Sequence, residues 1–338
     1  MADGAAEIDR AGLKAVLAGL EAALYEDFPG AASSGGEAFA PDALVRMCAP
    51  FGDLEGWGGL WEACLGPLAA AWPDLERRVQ IRIAGADEHG AAWVGCGGIY
   101  LGTFERAWMG IPPTKRVAHM RFHEFFRIED GRVVQMQALW DLPEVMMQAR
   151  CWPLAPSLGR DWTVPGPASG DGLGPHDAGR SEAARAHVIE MLAHMKRHPG
   201  EGGPEVMEME RFWHPRMSWY GPAGIGTGRG IAGFRRHHQI PFLRAMPDRG
   251  QYLDEITYHF MAEGDYVGVT GWPNMIQTIS QGGWLGIAPL GKRVTMKSLD
   301  FWRLEGGLIR ENWVLVDLLD VYAQIGVDVF ERMRELVD

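Results

Sequence analysis

The chain is short of several things. It has four cysteines, Cys48, Cys64, Cys96 and Cys151, in 338 residues. None forms a CxxC pair, and the spacing matches neither a zinc site nor a disulfide framework. They read as small buried apolar side chains in a reducing compartment. Positive charge is scarce: 32 Lys and Arg stand against 44 Asp and Glu, a formal charge of −12. No basic run occurs, which argues against nucleic acid and against an anionic membrane surface. No uncharged apolar stretch reaches the roughly 18 residues of a membrane span. The first residues, MADGAAEIDRAGLK, lack a basic segment followed by an apolar one, so no signal peptide is expected and the default location is cytoplasmic. No metal site is expected. His187, His194 and His198 lie near one helix stripe and read as a solvated face, and the adjacent His237 and His238 diverge on a helix.

What is present is a repeat. Leu299 to Asp320, LDFWRLEGGLIRENWVLVDLLD, has the pattern of a β-hairpin. Gly306-Gly307 is a two-residue turn, where positive φ costs little, and aromatic and β-branched residues flank it. With those two glycines alone as the loop, Asp300 opposes Trp313 and Met296 opposes Asp317. Asp300, Trp302, Trp313 and Asp317 then share one sheet face. Two carboxylates among indoles on a buried face are costly unless paired or functional. The stretch His123 to Leu142, HEFFRIEDGRVVQMQALWDL, repeats the pattern: Arg127 matches Arg303, Gly131 matches Gly307, Asp141 matches Asp317 and Gln148 matches Gln324. With Asp130-Gly131 as the turn, Glu124 and Asp141 share a face. His123 falls on the opposite one, with Arg121, Phe125 and Arg127.

The rest of the chain follows the same duplication. Leu13, Val16, Leu17, Leu20 and Leu24 predict a helix over 11–27. Residues 28–41 read as a loop, and 57–72 as a helix interrupted at Gly66-Pro67. Strands are predicted over 75–83, 91–104 and 117–128, with Gly95, Gly97, Gly98 and Gly102 as bulges or bends. Residues 152–180, dense in Pro and Gly, read as a linker. Then come a second helix carrying Val188, Met191, Leu192 and Met195, a strand over 212–220, and a helix over 230–245. Strands follow near 253–262, 266–275 and 277–287, then the hairpin over 294–317 and a last helix. Helices followed by a run of antiparallel strands make an α+β chain. The expected division is 1–151, a linker over 152–180, and 181–338. A curved sheet wrapped on helices encloses a pocket, where ligands bind. Gly228-Arg-Gly230-Ile-Ala-Gly233 with Asp248 matches a dinucleotide fingerprint, but no βαβ unit surrounds it.

Certain motifs occur in fixed order. They are Gly230 with Gly233-Phe234, Pro247-Asp248, Gly286, Pro289 and Gly291-Lys292-Arg293-Val294. After them come Trp302-Arg303, Gly307, Ile309, Trp313 and Asp317. The first half carries Pro73-Asp74, Gly110, Pro112-Pro113-Thr114, Arg116-Val117, Phe126-Arg127, Gly131, Val133 and Asp141, with Gln137 where the pattern has Trp. This resembles the SnoaL-like polyketide cyclase family of the nuclear transport factor 2-like superfamily, in two tandem copies. The resemblance implies two cone-like α+β domains packed as a pseudo-dimer, with homo-oligomers possible beyond that. It implies a cyclase or isomerase that uses carboxylate acid–base chemistry, without cofactor or metal, on a small apolar carbonyl compound. Asp141 and Asp317 inherit the acid–base role, with Glu124 and Asp300 as further candidates. Trp302, Trp313, Phe122, Phe126 and Met296 are the expected pocket residues. A non-enzymatic ligand-binding protein, or an isomerase or hydratase of the same superfamily, is the alternative.

Overall fold

The computed structural model describes residues 8–337. Unit 1 contains β1 (Phe39–Met47), β2 (Asp53–Glu55), β3 (Glu76–Ala86), β4 (Ala92–Thr103), β5 (Val117–Glu129) and β6 (Arg132–Trp140). Unit 2 contains β7 (Trp213–Tyr220), β8 (Thr227–Arg229), β9 (His259–Glu263), β10 (Tyr266–Thr270), β11 (Met275–Ile279), β12 (Lys292–Met296), β13 (Ser298–Glu305) and β14 (Leu308–Val316). The two large sheets have the same order, β2-β1-β6-β5-β4-β3 and β8-β7-β14-β13-β10-β9. Each is mixed rather than wholly antiparallel, because β1 lies parallel to β6 and β7 parallel to β14. In unit 2 the pair β11–β12 forms a separate small sheet. That break shortens the strands predicted over 266–287. It also pairs Met296 with Met275 instead of Asp317. The stretch 28–41 holds a short helix, Ala31–Ala38, where a loop was expected.

Each sheet curls over its helices. In unit 1 the helix Arg10–Glu26 turns Leu17, Leu20 and Leu24 inward, as a stripe at i, i+3, i+7 should. The long helix of residues 56–71 contains a π-helical turn at Trp61–Leu65, and its counterpart over 230–245 contains one at Arg235–Gln239.

The outer faces of the sheets meet. Phe125 stacks on Phe301 with ring centroids 4.9 Å apart, and the His123 ring bonds through Nδ1 to the Leu299 carbonyl at 2.6 Å. Gly95 explains the close approach: a Cβ there would lie 2.8 Å from Phe125 and 3.0 Å from Phe301. Gly97 and Gly268 border the same rings. Gly98 is not itself a bulge: the extra residue is Gln80 on β3, between Val79 and Ile81, and Gly98 lies opposite, where a Cβ would collide with the Arg78 carbonyl. Gln137 faces this contact and accepts from the Thr270 hydroxyl at 2.5 Å.

Residues 149–177 hold no helix or named strand. They are nonetheless tied down. Arg160 bridges to Thr227, the Gly172 carbonyl accepts from Arg82 N, and the Pro165 carbonyl accepts from the Trp313 indole.

Candidate active site

The hairpin register decides which side chains reach the hollows. Both turns are the two-residue turns expected, but each hairpin carries one extra residue a few positions on. Leu304 pairs with Ile309 while Arg303 pairs with Glu311, leaving Arg310 as a bulge. Arg127 pairs with Gln135 while Ile128 pairs with Val133, leaving Val134 as its counterpart. Because side chains alternate, one extra residue sends everything beyond it to the other face. Asp300 therefore opposes Val314, and Phe301 opposes Trp313. Asp300 and Trp302 share the inner face with Asn312, Val314 and Val316, while Trp313 and Asp317 point outward. Trp313 packs on Tyr220 and donates to the linker. Likewise Glu124 shares its face with Met136 and Trp140, not with Asp141.

The two strand-end aspartates line neither hollow. They bind the other unit. Asp317 accepts from Ala49 N at 3.0 Å, from Lys297 Nζ at 3.4 Å and from Asp320 N at 3.2 Å, where it caps the helix Leu318–Gln324. Asp141 accepts from Ala223 N at 2.9 Å and from Arg121 Nη2 at 3.1 Å. Arg121 in turn donates to the carbonyls of Tyr220 and Gly221. Burial pushes the Asp317 carboxyl up to about 6, against the pull of Lys297.

The hollow of unit 1 is nearly full. About 20 Å³ is open between Trp57, Phe126, Met136, Trp140 and the helix Arg10–Glu26. Glu124 lies at its wall, 2% exposed. It accepts from Arg77 Nη2 at 2.7 Å, Tyr100 OH at 2.9 Å and Trp140 Nε1 at 3.0 Å. A carboxylate whose oxygens accept from a guanidinium and two further donors is fully engaged and is not a free base. Phe122 lies behind this group, under the Arg77 guanidinium, and does not line the hollow.

The hollow of unit 2 is open, about 100 Å³, and mostly apolar: Met191, Met195, Trp213, Trp219, Phe234, Phe242, Trp284, Met296 and Trp302 contribute. Asp300 stands in its wall with one hydrogen-bond partner among the described residues, the Ser298 hydroxyl at 2.6 Å. Burial pushes its carboxyl up to about 7, with Ser298 and Arg249 pulling the other way. His238 lines the cavity and lies flat on Trp219 at 4.1 Å between centroids. Burial and Arg249 lower its pKa to about 3, so it is neutral. Several buried polar atoms of lining residues have no partner among the described residues: Nε1 of Trp213, Trp284 and Trp302, Nδ1 of His238 and Oε1 of Gln239. Buried polar atoms are rarely left so.

Three sequence expectations thus meet in one place, Asp300, Trp302 and Met296, and Phe126 lines the other hollow. His238, Gln239, Asn312 and Arg249 were missed. The π-helical turn brings both His238 and Gln239 to the cavity. The matching turn in unit 1 holds Cys64 and Leu65, 174 positions earlier at each site (238 − 64, 239 − 65). The hairpins repeat at an offset of 176 (303 − 127), not 174, so that polar-for-apolar difference could not be read from their alignment. Among the described residues no cluster of His, Cys, Asp or Glu suits a metal ion.

An α+β cone with a carboxylate in an aromatic hollow, present twice in one chain, defines the class. The SnoaL-like polyketide cyclase model matches residues 21–149 and again 204–325, and the chain belongs to that family. No curated protein matches. Among solved structures the chain is similar to IdmH from Streptomyces antibioticus, described as a candidate polyketide cyclase. The identity is 24% over 40% of this chain and 96% of that one, with a TM-score of 0.34. It is also similar to TsrD from Streptomyces laurentii, 26% identical over 42% and 96% with a TM-score of 0.32. A third is AclR from Streptomyces galilaeus, described as a candidate hydroxylase, 19% identical over 41% and 96% with a TM-score of 0.35.

Proposed function

We propose that unit 2 is a polyketide cyclase-type catalyst in which Asp300 is the general acid and base, acting on a small carbonyl compound held in the aromatic cavity. Unit 1 serves as its structural partner in a pseudo-dimer built into one chain. One observation carries the reading. Of the two equivalent carboxylates, Glu124 is fully engaged by Arg77, Tyr100 and Trp140, whereas Asp300 faces an open cavity with a single hydroxyl partner.

The chemistry needs no more than this group and a shaped space. A C–H between two carbonyls loses its proton to the Asp300 carboxylate. The enolate carbon forms a bond to a second carbonyl carbon of the same molecule, whose oxygen becomes an alkoxide. Asp300 returns its proton there, so the ring closes with no net change in protons. Without a second carbonyl in reach, return of the proton at another carbon is an isomerisation. A carboxyl titrating near neutral pH is suited to both halves of the cycle. The packed walls add orientation.

The test is proton exchange. In deuterated water, benzoylacetone should exchange its central C–H faster with the protein than without it. Asp300→Asn should slow the protein-dependent rate by about 10²–10⁴-fold, with the fold retained by circular dichroism. If that variant exchanges at the wild-type rate, Asp300 is not the base. A non-enzymatic binding protein would show ligand binding with no exchange in either form.

A further inference from the structure

Beside the cavity of unit 2 lies a narrow crevice, and the two share Arg249 and Met275 in their walls. Lys196, Tyr252 and Tyr258 are among the other residues that line it. Arg249 and Lys196 are both half-buried. Among the described residues neither has a carboxylate within ion-pair distance, and neither side chain donates a hydrogen bond; Arg249 only leans over the Phe242 ring and Lys196 over the Tyr258 ring. This is unexpected in a chain with a dozen more acids than bases (44 − 32). The acids nearby are committed elsewhere. Asp248 accepts from Thr278 N at 2.9 and 3.0 Å and from the Tyr252 hydroxyl, and Glu255 pairs with Arg293 at 2.5 Å. Asp300 influences Arg249 without contacting it.

Two neighbouring cations without a counter-ion repel one another and lose hydration. Burial lowers both pKa values, and Arg249 lowers that of Lys196 further. An arrangement of this kind is relieved when an anion arrives. The guanidinium fork suits a carboxylate.

We propose that the substrate carries a carboxylate, which pairs with Arg249 at the cavity wall, with Lys196 adding its charge from the crevice behind, while the carbonyl-bearing part of the molecule occupies the cavity against Asp300. The inference deepens the acid–base reading above and takes its reacting end from it. The substrate class becomes a keto acid with an apolar body, not a wholly apolar ketone.

The probes are para-acetylbenzoate and its methyl ester, alike in ring and ketone and different in charge. Binding is measured by isothermal titration calorimetry. The carboxylate should bind about tenfold tighter than the ester, and its affinity should fall as salt is added. Arg249→Gln should erase that preference, Lys196→Gln should reduce it, and Arg249→Lys should restore part of it. Three results would overturn the proposal: equal or tighter binding of the ester, a preference that survives in the double variant Arg249→Gln/Lys196→Gln, or no binding of the carboxylate at millimolar concentration. Should the Arg249 variants fail to fold, the salt titration of the unmodified protein decides, and an affinity insensitive to salt counts against the idea. Asp300→Asn separates the two readings. If it keeps wild-type proton exchange while the carboxylate preference stands, only the acid–base assignment falls. If exchange is lost but no preference exists, only the charge pairing falls.

Discussion

Glu124 and Asp300 occupy equivalent positions and behave as opposites, so the same isosteric change should have opposite effects. Glu124→Gln leaves the Arg77 guanidinium, 3% exposed, with only the more distant Glu21, at 4.0 Å, as counter-charge. Breaking a buried pair in this way costs roughly 3–5 kcal/mol, so melting temperature should drop sharply while exchange per folded molecule stays unchanged. Asp300→Asn removes a charge that burial disfavours. The Asp300 carboxyl titrates near 7 in the folded chain, against about 3.9 when unfolded. Between those values the folded state holds the extra proton. The stabilising contribution is therefore complete below about pH 4 and is lost as pH rises through about 7. Asp300→Asn should accordingly raise the melting temperature at pH 8, by about 5 °C, and change it little at pH 4. The rate runs the other way: proton abstraction requires the carboxylate, so exchange should rise with pH through a single ionisation near 7. A flat profile between pH 5 and 8 would exclude Asp300 as the titrating base. That these two acids were candidates was legible in the sequence, since each falls among aromatic residues on a predicted strand. Their different fates were not, because Arg77 and Tyr100, which capture Glu124, come from two other strands.

At the level of the strand pair, the bulges govern. Pattern reading located the hairpins, their glycine turns and their repeat, yet placed Trp313 and Asp317 on the cavity face. The alternation rule holds in the structure; the count was off by the one residue that each hairpin inserts after its turn. Nothing in Ile309-Arg310-Glu311 marks Arg310 as the extra residue by type, whereas its recurrence as Val134 is a property of the pairing alone. Inserting one alanine between Arg303 and Leu304 is the direct check, because it gives Arg310 a partner and removes the bulge. Strict alternation from the turn would then carry Trp313 into the cavity and Asn312 out of it. We expect loss of cooperative unfolding in unit 2, or at least loss of ligand binding, read by near-ultraviolet dichroism and calorimetry. A fully native insertion variant would mean that the bulge does not set the face. The π-helical turn was equally illegible, since a helical period of hydrophobics continues across it. Its consequence, His238 beside Gln239 on one wall, follows only from the wider turn.

Over the whole chain, the duplication and the two sheets were readable from the repeat, and so was the outward face of Arg121, His123 and Phe125 that meets the second unit. The reciprocal hold of the aspartates was not. Asp141 grips Ala223 and Asp317 grips Ala49, each across the boundary. Asp141→Ala should be the more damaging of the two, because it strands the buried Arg121, whereas Lys297 retains Asp320 when Asp317 is replaced. Differential scanning calorimetry should show both variants melting earlier, with the Asp141 variant lower, and both should retain exchange activity in the cold. Equal losses would mean that the ion pair with Arg121 adds nothing beyond the shared backbone contact.

The unequal filling of the two hollows has a consequence for how such a chain can change. Two identical subunits must accept every substitution twice, so a residue that plugs one interior plugs both. Joined head to tail, the copies are free to diverge: one has turned its interior over to an ion pair and indoles that keep it rigid, and the other has kept room for a guest. Emptying the first interior by trimming Trp140 or Tyr100 should therefore weaken the scaffold without creating a second workplace, because the acid inside it would still be held by Arg77.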